Sequence, residues 1–152
     1  MKSSASQPLP VDQVSTDLRA FAAELRLRLE GRGEVSTPDT DGFGEGFTVR
    51  SAVEGTVEVW LMHDAEGIVV GLDRCPGWDL PRESGSVGTV EAIVEAAVGG
   101  SIEVGSGRAV RSYRVPMPDG TVMEDTAEGS VATLLALPWK PRLRWQSASP
   151  YS

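Results

Sequence analysis

The stretch Thr56–Asp73, TVEVWLMHDAEGIVVGLD, constrains the chain more than any other. Val57, Val59 and Leu61 alternate with Glu58, Trp60 and Met62, the period-2 signature of a strand with two unlike faces. His63-Asp64-Ala65-Glu66-Gly67 interrupts the alternation with turn chemistry. Ile68–Leu72 is then a near-continuous apolar run carrying two β-branched valines, as in a central strand. A hairpin of this kind belongs at the middle of a sheet, and the remaining elements must be arranged around it.

Upstream, Val11, Val14, Leu18, Phe21, Ala22, Leu25 and Leu29 recur at steps of three and four, which predicts an amphipathic helix over 11–29 ended by Gly31. Glu34–Gly46 reads as a loop, and Phe47–Val53 alternates as a first strand closed by a Glu54-Gly55 turn. Residues 47–73 therefore predict a three-stranded antiparallel meander. Arg74–Gly85 reads as an irregular connection, in which Trp78 either covers the sheet edge or stands exposed as an anchor. Val90, Ile93, Val94, Ala97 and Val98 mark a second helix over 86–98, capped by Ser86 and stopped by Gly99-Gly100. Strands follow at 101–104 and 109–117 around Gly105-Ser106-Gly107, and at 121–124 after the Pro118-Asp119-Gly120 turn. Ser130–Leu137 fits a helix or a strand equally, and Arg142–Trp145 fits a short edge strand. The expected fold is α+β: one antiparallel sheet of five to six strands, with an N-terminal helix and a second helix after the third strand. Residues 1–10 are expected to be a loose leader, 11–145 a single domain and 146–152 a loose tail.

Net charge is −8, and it is concentrated. Glu34–Glu103 holds fourteen acids against three bases, whereas both ends are slightly basic. Such a balance disfavours nucleic acid and suits a basic partner. No apolar run is long enough to span a bilayer, and Met1–Pro10 lacks the apolar core of a signal peptide. With a single cysteine, Cys75, no internal disulfide can form. Together these features predict a cytoplasmic protein.

The chemistry-bearing residues are few. Asp39-Thr40-Asp41-Gly42 resembles the start of a calcium loop, but Phe43 and Arg50 occupy positions where that loop needs ligands. Gly42–Gly46 is glycine-rich but precedes a strand, the wrong context for a phosphate-cradling loop. His63, Cys75 and Asp73 are the types a thiol enzyme needs, yet no nucleophile signature surrounds them. One histidine and one cysteine are too few for an ordinary zinc site, so neither metal nor cofactor is expected.

The stretch VEAIVEAAVGGSIEV, followed by GRAVRSYRVPMPDG, gives a helix, a glycine turn and a hairpin. In this order, within an acidic chain, it resembles small bacterial immunity proteins of polymorphic toxin systems over about residues 43–125. The resemblance implies a non-catalytic protein that occludes a basic toxin domain through an acidic surface. The residues expected to touch such a partner are Asp39, Asp41, Glu45, Glu58, Trp60, Trp78 and Asp79, with Trp60 and Glu58 on one strand face. Two alternatives stand beside it: a chaperone for a secreted effector, and a small-ligand or enzyme domain with a pocket near His63 and Cys75.

Overall fold

The computed structural model describes residues 7–37, 44–128 and 142–152. The elements are, in order, α1 (Gln13–Arg28), β1 (Glu34–Ser36), β2 (Gly44–Arg50), β3 (Val59–Asp64), β4 (Gly67–Leu72), β5 (Trp78–Pro81), α2 (Ser84–Gly99), β6 (Glu103–Gly107), β7 (Val110–Pro116), β8 (Val122–Glu128) and β9 (Arg144–Ser147). The class is α+β with antiparallel pairing throughout, but the strands form two sheets instead of one. A five-stranded meander runs β1-β2-β3-β4-β5, and a four-stranded sheet runs β8-β7-β6-β9. The second helix accordingly follows the fifth strand and not the third. The central hairpin is where alternation places it: β3 and β4 sit in the interior of the larger sheet, with Leu61 opposite Val70.

Helix α1 starts one residue after Asp12, whose carboxylate accepts the Ser15 N–H at 3.0 Å and so satisfies one of the first-turn donors. Its stripe of Val14, Leu18, Phe21, Ala22 and Leu25 is buried. Helix α2 is apolar around more of its circumference, and it touches α1, β3 and β7. The two helices thus share one core with Phe47, Val49, Val59, Leu61, Val70 and Leu72 of the larger sheet and with Val104, Tyr113 and Val115 of the smaller one. Helix α2 begins at Ser84 with Glu83 at the N-cap, so Ser86 is not the cap but a buried residue of the first turn. The β6–β7 turn is Arg108-Ala109, because Gly107 pairs directly with Val110; the expected glycine turn is instead part of β6.

The C-terminal end overturns the expectation of a loose tail. Ser149 donates its N–H to the Gly55 carbonyl, and Tyr151 donates its own to that of Val98. The Tyr151 side chain is buried, with its hydroxyl 2.7 Å from the Val57 carbonyl and 3.0 Å from that of Val49. A buried phenol must find an acceptor, and the frayed end of the β2–β3 ladder offers two. At the other terminus, the Pro10 carbonyl accepts a hydrogen bond from the Ser15 hydroxyl, so the last leader residue is docked. The segment 130–137, which fits helix or strand, lies outside the described residues.

Candidate functional site

The two faces of the five-stranded sheet differ sharply. Val59, Leu61 and His63 of β3 point towards the helices and are buried. Trp60, Met62 and Asp64 point the other way, and no helix covers them among the described residues. Cross-strand register continues this outer face: Gly46, Met62, Val69 and Asp79 form one row, and Thr48, Trp60 and Gly71 the next.

Trp60 is held flat on its own sheet. A Cβ on Gly71 would overlap the indole, and one on Gly77 would come within 2.8 Å of it. The Nε1–H donates to the Asp73 carbonyl at 3.1 Å, which fixes the ring's direction. Asp73 is itself fixed: its two carboxylate oxygens accept the Glu58 N–H at 2.9 Å and the Tyr113 hydroxyl at 2.6 Å. Met62 lies across β2 in the same manner, since a Cβ on Gly46 would come within 2.6 Å of its sulfur. Glycine makes this outer face low and smooth, and a half-buried indole and a Met62 that is 38% exposed form its apolar centre.

Acids rim that centre. Glu58, Asp64 and Asp79 stand on the same side, and Glu66 belongs to the adjoining turn. The Asp64 carboxylate accepts the N–H groups of Glu66 and Gly67, which shapes the turn, and it forms no salt bridge among the described residues. A shallow depression of about 300 Å³ lies at this end, floored by Met62 and Val69 and bordered by Asp64, Glu66 and Asp79. At the far end of the face Arg50 and Glu34 neutralise one another at 2.9 Å. The outer face is therefore apolar in the middle and anionic around one end.

The expected contact residues do not all gather there. Glu58, Trp60 and Asp79 share the face. Glu45 pairs with His63 in register, so it points to the helix side, where Arg19 of α1 binds it through two nitrogens at 2.7–3.0 Å. That hydrogen bonding holds the Glu45 carboxyl below its ordinary range. Trp78 is opposite Val70, which turns it to the core side; it packs there, and its Nε1–H donates to the Glu124 carbonyl of β8 at 3.1 Å. It joins the two sheets and presents no free anchor. Asp39 and Asp41 lie outside the described residues. Met62 and the glycines beneath it were missed by sequence reasoning, although glycine at alternate positions opposite a large side chain is a legible signal of close backbone approach.

His63 and Cys75 do not form a pocket. His63 sits beside the β3–β4 turn, whereas Cys75 follows the opposite end of the hairpin, where Val59 meets Leu72. Four residues of strand separate those ends, about 13 Å at the rise of an extended chain. Cys75 is buried, and that burial, with Asp125 and Asp73 nearby, pushes its thiol up to about 12. It is an inert core residue. An open cleft of about 960 Å³ does lie between the sheets, bordered by Glu58, Asp73, Arg74, Arg111 and Tyr113. Its one buried hydroxyl, on Tyr113, is committed to Asp73, and burial raises that phenol further. The described residues hold no cluster of three metal-ligating side chains.

Neither a family model, nor a curated protein, nor a solved structure matches this chain.

Proposed function

We propose that this protein is a non-catalytic binding protein, which docks a basic protein partner on the outer face of its five-stranded sheet. The observation that carries the reading is the preorganised apolar centre of Trp60 and Met62 beside Asp64 and Asp79, acids that form no salt bridge among the described residues. Aromatic and methionine side chains already fixed in place lose little freedom on binding, and they are the usual energetic centre of an interface. The surrounding carboxylates would steer a cationic partner and set its register more than they would add affinity. Nothing in the reading requires a reaction, and occlusion of the partner's own site is sufficient for it to act. On this reading the protein neutralises a basic toxin domain, in the manner of an immunity protein, or escorts a basic effector. The separation of His63 from Cys75 and the commitment of Tyr113 to Asp73 argue against the small-ligand or enzyme alternative.

Co-purification of the tagged protein from its native host tests this. The expected result is a stoichiometric basic protein that is retained at low salt and released at high salt. Retention of nothing at either salt, or of an acidic protein indifferent to salt, would contradict the proposal.

A further inference from the structure

Of the ion pairs among the described residues, that of Arg82 with Asp12 is the one with a side chain largely withdrawn from solvent, Arg82, while Asp12 stays 38% exposed, and it adjoins the chain's one histidine. The Arg82 side chain, 8% exposed, leaves the end of β5 and binds four groups at once. Its Nε and Nη2 take the two carboxylate oxygens of Asp12 at 3.0 and 2.8 Å, and Nη2 also reaches the Ser15 hydroxyl at 2.7 Å. Its Nη1 donates to the Asp64 carbonyl at 2.9 Å and to His63 Nδ1 at 3.1 Å. A guanidinium can only donate, so His63 Nδ1 must be the unprotonated acceptor, and the ring is neutral with its proton on Nε2. Through this one side chain the first turn of α1 is fastened to the β3–β4 turn.

We infer that His63 is a pH-operated latch: protonation of its ring displaces Arg82 and releases the N-terminal turn of α1 from the β3–β4 hairpin.

The geometry gives the reason. A proton on Nδ1 would set two donors against one another at hydrogen-bond distance and place a second cation beside a buried guanidinium. The charged groups facing the ring are Arg82, Arg19 of α1, Asp12 at its N-cap and Glu45 of β2. Glu45 and Asp12 favour an imidazolium, but both are already engaged, Asp12 by Arg82 and Glu45 by Arg19, and they do not outweigh burial and Arg82. Burial first, and then Arg82, hold the His63 pKa below its ordinary value of 6.5. The stability that comes from keeping the ring neutral is therefore complete above pH 6.5, and it is lost as the pH falls below that value. Asp12 responds much lower. The Arg82 hydrogen bond, followed by that of the Ser15 amide, brings its pKa from 3.8 down to about 2, so its contribution fails only in strong acid.

Amide hydrogen exchange on the full chain at pH 7.5 and pH 5.5, corrected for intrinsic rates, tests the latch. The expected result is a loss of protection at Ser15–Leu18 of about tenfold, with the Ile93 amide of α2 unchanged. His63→Gln, which retains an acceptor but cannot titrate, should abolish the pH dependence. Unchanged protection in the wild type, an equal loss in His63→Gln, or a parallel loss at Ile93 would each overturn the inference. Should His63→Gln fail to fold, an NMR titration of the wild type decides: the His63 ring and the Ser15 amide must shift with one midpoint below 6.5, and separate midpoints would overturn it. This inference does not depend on the binding face, so either may fail alone.

Discussion

At the scale of single residues, the outer face depends on what is missing. Gly71 leaves the space that lets Trp60 lie down and reach the Asp73 carbonyl. Gly71→Ala forces the indole off the sheet, and overpacking of this kind typically costs about 1–3 kcal/mol. Denaturant unfolding should register that loss, and the indole N–H resonance of Trp60 should move towards its solvent-exposed position. Cys75 supplies the opposite case, a reactive side chain silenced by its surroundings. With its thiol raised from 9.0 to about 12, the thiolate fraction near neutral pH falls by about a thousandfold. Alkylation of the folded protein at pH 8 should be slower than that of the urea-unfolded chain by at least that order, since burial also blocks access. Comparable rates in the two states would remove Cys75 from the core.

At the scale of elements, both helices and the β3–β4 hairpin are legible because each carries its own periodicity over many residues. Strand β5 is not, since Trp78-Asp79-Leu80-Pro81 is short, ends in proline and lies among turn-forming residues. Only its pairing with β4 makes it a strand, and that pairing cannot be read locally. The three residues of β1 are hidden in a polar stretch for the same reason. The separation into two sheets depends on partners distant in sequence: β6 pairs with β9 across the whole of β7 and β8. Alternation in β3 shows that Trp60 and Glu58 lie on one side, but which side the helices cover is a property of the packed molecule. The C-terminal segment is the plainest case of long-range decision. It has no periodicity, and it is held because Tyr151 meets carbonyls 94 and 102 positions earlier in the chain. Tyr151→Phe leaves those buried acceptors without their donor, and calorimetry should show a loss of about 1–3 kcal/mol. An unchanged melting temperature would mean that the segment is not docked in solution.

At the scale of the whole molecule, the proposed binding role rests on asymmetry. The helices occupy one side of the larger sheet, and the acids of the middle of the chain are divided by it. Glu45, on the inner side, is neutralised by Arg19, whereas Asp64 and Asp79 on the outer side form no salt bridge among the described residues. Net charge alone would attract many cations weakly; an acidic rim around a fixed apolar centre is what would make one partner specific. These two effects separate in a single comparison. Asp79→Lys and Glu103→Lys change the net charge equally, but Asp79 is on the outer face of the five-stranded sheet and Glu103 is an exposed residue of the other sheet. Both sites are exposed, so each variant should retain its stability within about 0.5 kcal/mol. The deciding measurement is quantitative capture of the basic partner by the two variants at one ionic strength. The account predicts that Asp79→Lys abolishes capture while Glu103→Lys retains it. Equal loss in both would reduce the interaction to net charge, and full retention by Asp79→Lys would place the binding surface elsewhere.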